Sequence, residues 1–375
     1  MTTTRREFLV AAAATGGLVS LGAPGALARM LRDVEPASKK LRILVLGGTR
    51  FLGPHFVEFA RARGHEITLF NRGRSNPDLF QDLETLIGDR DPERGEGLDP
   101  LKGREWDCVV DTSGYIKRHV EASADLLRDT VGRYLFISSI SVYADGSIHA
   151  MTEREAVGTL DDPSVEEITG ETYGPLKAYC EQACRDVFGD RATIIRPGYI
   201  VGPLDNTDRF TYWVTRIDKG GEVLVPGAPE HPVQFIDARD LMEWSLHMLE
   251  NDTGGTYNAV GPRDLMGMGT MCETMRDVSR SDATFTWVDA SWLEERDEFF
   301  PIYVNPEGPY GGYGDVSNAA AIGAGLTFRP LRDTTRDLLD WWGTLDDDRT
   351  SRLREAIESD RETNLLEAWK EHISG

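Results

Sequence analysis

Four apolar residues, Ile43-Leu44-Val45-Leu46, run directly into Gly47-Gly48-Thr49-Arg50-Phe51-Leu52-Gly53 and then into an amphipathic segment. That order of strand, glycine turn and helix leaves few folds open. A strand that is apolar without alternation is buried on both faces, which calls for helices on both sides of a parallel sheet. Glycines let the chain reverse sharply and approach a ligand closely. The helix that follows presents its unpaired N–H groups to whatever fills the turn, and an anion such as a pyrophosphate suits them. The strand before and the helix after separate this turn from a chance glycine cluster. Gly53 is read as the residue that lets the helix pack tightly on the strand.

The alternation continues. Over residues 41–200, strands are predicted at 42–46, 66–70, 83–87, 108–111, 134–138 and 193–196, with helices at 51–63, 120–130 and 176–188. Such βα crossovers imply an α/β fold with a doubly wound parallel sheet. After Pro197 the texture changes: Gly202-Pro203, Gly220-Gly221 and the aromatic loop 299–313 interrupt shorter elements. Residues 201–345 read as a smaller C-terminal substrate lobe, partly interleaved with the sheet domain. Residues 346–375 read as a charged helix that packs or caps. A chain of 375 residues has room for this arrangement.

Several function classes are disfavoured. A formal charge of −22 opposes non-specific nucleic-acid binding, which needs Lys and Arg against phosphates. No run beyond the first thirty residues nears the roughly 18 apolar residues of a membrane span, so none is expected in the mature chain. Cys108, Cys180, Cys184 and Cys272 form no CxxC and have no His close by in sequence, so no metal site is expected and the thiols read as free core residues.

The second chemical motif is Tyr173-Gly174-Pro175-Leu176-Lys177. At i,i+4 on a helix the phenol and the amine share one face, and Pro175 must then lie in the first turn, where its missing N–H does no harm. A phenol with a pKa near ~10 is a poor acid–base group at neutral pH unless a cation stabilises its phenolate. Lys177 is the cation at that spacing.

These motifs carry a resemblance. GGTRFLG has Arg50 where a GxxGxxG turn has its middle glycine, and Ser138-Ser139-Ile140-Ser141-Val142-Tyr143-Ala144 resembles an SSxxVYG segment. Tyr173 and Lys177 follow, then Arg196-Pro197-Gly198, Gly202-Pro203, Phe235-Ile236-Asp237 with Asp240-Leu241, and Tyr257-Asn258. Over nearly all of residues 41–345 the chain resembles the extended, atypical short-chain dehydrogenase/reductases. In particular it looks like the NAD-dependent epimerase/dehydratase family, in the branch with chloroplast stem-loop-binding relatives. The resemblance implies a Rossmann-type domain, an NAD(P) cofactor and catalysis by Ser139, Tyr173 and Lys177. Ser139 would hydrogen-bond the reacting oxygen, while Ser138 and Ser141 would be structural.

For the cofactor, the resemblance points to Gly47, Gly48, Thr49, Arg50, Phe51, Leu52 and Gly53 around the phosphates. Asp89 and Arg90 would lie near the adenine, Thr112 and Ser113 at the end of the fourth strand, and Tyr173, Lys177 and Pro197 near the reacting ring. Where an NAD site usually places Asp or Glu on the ribose diol, this chain has Asn71, with Arg72 and Arg74 after it. That leans towards NADP, whose 2′-phosphate favours cations. Arg209, Tyr212 and Trp213, with the loop 299–313, are the candidate substrate residues. Val233 stands where sugar-nucleotide epimerases usually have an Arg on the substrate diphosphate. Arg209 or Arg216 are the remaining candidates for that clamp.

The first 28 residues carry Arg5-Arg6, then Phe8-Leu9, a mildly apolar stretch to about Leu21, and Ala26-Leu27-Ala28. This resembles a twin-arginine (Tat) export signal cut before Arg29, with 29–40 a polar linker. It implies passage through the Tat translocon in the folded state and a periplasmic or extracellular location. No pool there evidently regenerates a reduced cofactor. The favoured expectation is therefore redox-neutral chemistry on a sugar-like small molecule, by a cofactor that stays bound. The alternatives are a dehydrogenase or reductase with exchangeable cofactor, and a non-catalytic binding protein of the same fold. A homodimer is left open.

Overall fold

The computed structural model describes residues 34–354 and 357–375. The twin-arginine leader and the start of the linker lie outside the described residues.

Strands β1 (Arg42–Leu46), β2 (Glu66–Asn71), β3 (Glu84–Ile87), β4 (Trp106–Asp111), β5 (Val131–Ile137) and β6 (Ala192–Pro197) join Gly255–Ala259 in a seven-stranded sheet. Its spatial order is Gly255–Ala259, β6, β5, β4, β1, β2, β3, and every pairing is parallel. The order reverses at β1, whose Leu46 lies opposite Phe70 on one side and Asp111 on the other. In open α/β sheets a ligand crevice forms at such a reversal, outside the carboxyl ends of the strands.

The unbroken apolar run of β1 has a direct cause. Ile43 and Val45 face one core with helices α1 (Leu52–Ala62) and Ala238–Glu250. Leu44 and Leu46 face the other, with α2 (Lys117–Leu127) and α3 (Tyr173–Phe188). Burying each such side chain contributes about 1.5–3 kcal/mol, so the run tolerates a charge on neither face.

A third core belongs to the lobe. It gathers α4 (Arg209–Asp218), the parallel pair Glu222–Pro226 and Thr284–Val288, and the helices Met268–Ser279 and Leu331–Trp342. The terminal helix Ser359–Ser374 buries Leu365 and Leu366 in this core. Between these segments the chain returns to the sheet domain through Ala238–Glu250 and Gly255–Ala259. All four cysteines are buried and free. Among the described residues no cluster could hold a metal ion, and no helix is long and apolar enough to cross a membrane.

Candidate active site

A cavity of about 560 Å³ opens at the carboxyl ends of β1, β2, β4 and β5 and runs on beneath the lobe. That is the size of a small-molecule site. Gly47, Gly48, Thr49, Arg50, Phe51 and Leu52 line it. Gly47 and Gly48 hold φ of 116° and 94°, a region that side chains with a Cβ avoid. Gly53 does not face the cavity. A Cβ there would sit 2.4 Å from the Gly48 backbone, so its hydrogen lets α1 close on the turn itself rather than on the strand. Phe51, just before α1, holds φ of 41° without being glycine, a strained conformation of the kind found at binding turns.

The end of β4 is locked to the end of β1. Thr112 and Ser113 both donate hydroxyl hydrogen bonds to the Leu46 carbonyl, at 3.2 and 3.0 Å. Asp111 accepts both arms of the Arg90 guanidinium, at 2.6 and 2.8 Å, and the Tyr134 hydroxyl at 2.7 Å. Arg90 therefore borders the cavity with its guanidinium bracing the strand ends. Asp89 lines the cavity and caps its own loop by accepting from the Asp91 amide. The Asn71 side chain likewise turns back to accept from the Gly73 amide at 2.7 Å. Arg72 and Arg74 line the cavity, are exposed, and pair with no carboxylate among the described residues.

At the other end, Tyr173 is the first residue of α3 and Pro175 the third, so the proline stands in the first turn. The helix starts three residues earlier than the apolar periodicity indicated. One turn on, Lys177 is 3% exposed and donates to the Gly114 and Ile137 carbonyls at 2.7 and 2.6 Å. Its ammonium lies 4.3 Å from the Phe136 ring centre, and burial lowers its pKa. Burial raises the Tyr173 phenol above its ordinary pKa, as does Tyr115, and the Ser139 hydroxyl and the Arg209 cation oppose that rise.

Ser139 lines the cavity and accepts from the Ser141 amide at 3.1 Å. Ser138 also borders the cavity, but its hydroxyl is committed to Glu181, donating at 2.6 Å. That carboxylate also holds Arg196 through two bonds, at 2.9 and 2.7 Å, and stays charged although fully buried because of it.

Arg209 reaches the cavity from the start of α4, stacked 4.9 Å over Tyr199 and bonded at Nε to Thr207. Thr207 is in turn held by Asp205, whose carboxyl burial raises to about 6. The other lobe candidates are corrected. Tyr212 and Trp213 are fully buried in the lobe core, where Trp213 donates to the Pro301 carbonyl at 2.7 Å and stacks on Phe300. Arg216 is bound by Glu362 and two carbonyls outside the cavity, so it clamps no substrate. Pro197 lines the cavity, and so does the loop 299–313 from Phe299 through Asn305 to Tyr313. Sequence reasoning missed Tyr115, His119, Asp91 and Arg94, which also line it. The residues after Gly114 match no motif, and only their place at the entry to α2 brings them in.

Residues 43–260 match the NAD dependent epimerase/dehydratase family. The chain belongs to that family. It is 29% identical over 229 residues to the chloroplast stem-loop binding protein of 41 kDa b of Arabidopsis thaliana, covering 58% of this chain and 57% of that protein. The match thus spans little more than half of that relative. A dTDP-4-dehydro-6-deoxy-D-allose reductase of Streptomyces sp is 26% identical over 251 residues, 58% of this chain and 76% of the reductase. Among solved structures, WbmH of Bordetella bronchiseptica in complex with NAD+ superposes with a TM-score of 0.61 at 13% identity, covering 81% of this chain and 98% of that one. The UDP-glucose 4-epimerase of Thermotoga maritima, with UDP-glucose, gives 0.60 at 14% identity, 80% and 98%. At these identities the superpositions establish the fold.

The family implies a nicotinamide dinucleotide, and the residues present fit one. The glycines at 47 and 48 leave no Cβ between the end of β1 and the cavity, α1 opens onto it, and cations stand at its edge beyond β2.

Proposed function

We propose that this protein is an NAD(P)-dependent epimerase/dehydratase-type enzyme that acts on a sugar or polyol hydroxyl and restores its cofactor within each turnover. The observation that carries the reading is a single cavity joining the glycine turn to Ser139, Tyr173 and Lys177. Bound there, the nicotinamide supplies the hydride acceptor and donor. Tyr173 takes the hydroxyl proton as the carbonyl forms and returns it afterwards. Ser139 orients the reacting oxygen, and Lys177 and Arg209 set the field around the phenol.

A clasp across the adenine end supports a cofactor that stays bound. Arg118 bonds Asp91 at 2.7 Å and Glu166 at 2.9 and 3.0 Å, tying the loop before α3 to the loop after β3, and Ile168 of that strap lines the cavity. Retention suits an enzyme exported through the Tat translocon to the periplasm or beyond, where a reduced cofactor is not regenerated. Arg72 and Arg74, with no ion-pair partner among the described residues, favour NADP over NAD.

The test is to purify the mature chain, extract its cofactor, and add candidate sugars. Co-purified NADP with formation of an isomer or elimination product, and no net cofactor reduction, is expected. Release of the cofactor with stoichiometric oxidation of substrate would defeat the redox-neutral reading. That outcome would favour a dehydrogenase or reductase with exchangeable cofactor, the alternative that the Streptomyces reductase supports.

A further inference from the structure

The cavity is divided by charge. Its sheet side, from Gly47 to Lys177, carries Arg50, Arg72 and Arg74 with Asp89 beside them, while Arg90 is spent on Asp111, Arg94 on Asp91, and Lys177 donates to two carbonyls. Its lobe side, from Tyr199 onward, has one cation, Arg209, and two carboxylates, Glu294 and Glu298. Glu298 is paired with Arg361, through Nε at 2.6 Å. Glu294 accepts from the buried Asn305 amide at 3.2 Å. The remaining polar surface there is uncharged: the phenols of Tyr199, Tyr303, Tyr310 and Tyr313, the amides of Asn206 and Asn305, and the Thr207 hydroxyl.

The lobe side therefore suits a different ligand from the sheet side. A nucleoside diphosphate attached to the reacting sugar would bring a multiply charged group under the lobe, where one guanidinium, Arg209, stands with the Glu294 carboxylate, and Glu298 is already met by Arg361. The Arg209 guanidinium already donates to Thr207 and stacks on Tyr199. Carboxylate, amide and phenol groups are hydroxyl partners, and flat rings cover the C–H faces of a pyranose. Val233, 1% exposed, offers no cation to replace the missing clamp.

We infer that the lobe end of the cleft takes a carbohydrate without phosphate, with Glu294 and Asn305 receiving its hydroxyls and Arg209 lying beside the reacting carbon. The inference rests on the proposed hydride-transfer reading for which part of the sugar reacts, but the charge division stands without it.

The experiment uses the mature protein with its own cofactor. Calorimetric titrations with UDP, UDP-glucose and UDP-galactose are compared with a panel of free aldoses, N-acetylated amino sugars, methyl glycosides and disaccharides. At least one non-phosphorylated sugar is expected to bind tenfold or more tightly than UDP or either UDP-sugar. Glu294→Arg is expected to raise UDP affinity about tenfold and weaken the sugar. Glu294→Gln, of the same shape, weakens the sugar without that gain, which separates charge from misfolding. UDP or a UDP-sugar binding as tightly as the best free sugar overturns the inference, as does a panel in which no free sugar binds. The ranking is repeated in Tyr173→Phe, which removes the proton acceptor. Free sugars that bind but are never converted by the wild type would sink the hydride-transfer reading and leave this one standing. Conversion of UDP-sugars would do the reverse.

Discussion

Gly174 lies between Tyr173 and Lys177, the proposed proton carrier and its cation, and Gly174→Ala sets opposing effects against each other. In an exposed helix the change would stabilise by up to about 1 kcal/mol, since glycine gives up more backbone freedom on folding. Here the added Cβ would lie 2.0 Å from the Ser141 carbonyl oxygen and 3.0 Å from its carbon. Both are backbone atoms in the segment that positions Ser139, so neither can swing away. Overpacking of this kind costs about 1–3 kcal/mol, and because both contacts are backbone atoms the upper part of that range applies, for a net loss of about 2 kcal/mol after the helix gain of up to about 1 kcal/mol. The helix start must retreat from the serine segment to relieve the clash, and Tyr173 retreats with it. A displacement near 1 Å costs roughly a hundredfold in rate. The control is Gly323→Ala: Gly323 is an exposed helical glycine at which a Cβ would meet nothing within 4 Å. Urea-unfolding midpoints and turnover are measured for both. Gly323→Ala should match or exceed the wild type in stability at full activity, while Gly174→Ala loses both. Wild-type stability and turnover in Gly174→Ala would refute the claim that α3 is seated directly on the Ser139 segment.

Three further outcomes follow from the site. Tyr173→Phe should lower turnover by about 10²–10⁴ while the purified protein keeps its full cofactor content, measured by extraction; retained turnover would remove Tyr173 from proton transfer. Arg72→Ala with Arg74→Ala should weaken NADP about tenfold or more and leave NAD nearly unchanged, read by fluorescence titration of protein stripped of cofactor, and equal losses for both cofactors would refute the 2′-phosphate assignment. Asp205 is pushed from 3.8 to about 6 chiefly by burial, so the folded state binds its proton more tightly than the unfolded chain does. Its stabilising contribution is complete below about 3.8 and is lost as pH rises through about 6. The stability of the wild type relative to Asp205→Asn should therefore fall between pH ~4 and ~6 and level off above, and a difference flat across that window would show that the carboxyl does not titrate there.

Much of the sheet domain was legible because its residues answer to one requirement each. β1 must be apolar on both faces, Gly47 and Gly48 must tolerate positive φ, and Pro175 can enter α3 only in its first turn. The strand Gly255–Ala259 was not legible as a sheet member. Its sequence, Gly-Thr-Tyr-Asn-Ala, has no apolar run, because it lies on the sheet edge and only Asn258 and Ala259 are buried. Tyr212 and Trp213 were misplaced for a different reason. An aromatic ring with a polar handle suits a sugar platform and a core equally, and for Trp213 only the Pro301 carbonyl opposite its N–H decides between them. The bracing pair of Arg90 with Asp111 escaped because the two are 21 residues apart in sequence and become adjacent only when β4 ends beside the loop after β3.

The same distinction explains how a chain of net charge −22 presents a phosphate site. Net charge bears on solubility and non-specific partners, whereas a site feels the charges left over after local pairing. Here most buried guanidinium groups are matched: Arg90 to Asp111, Arg196 to Glu181, Arg239 to Asp237, and Arg329, part-buried, to Asp240. Each pair holds two segments together and adds almost nothing to the potential in the cleft. Among the described residues Arg72 and Arg74 are left over at the edge beyond β2, and Arg209 beneath the lobe. Beyond a Debye length of about 8 Å at physiological salt, the acidic surface is largely screened from them. The two ends of one cavity can thus favour a phosphate-rich cofactor and a phosphate-free substrate, and the geometry of pairing, more than the abundance of either charge, decides which end is which.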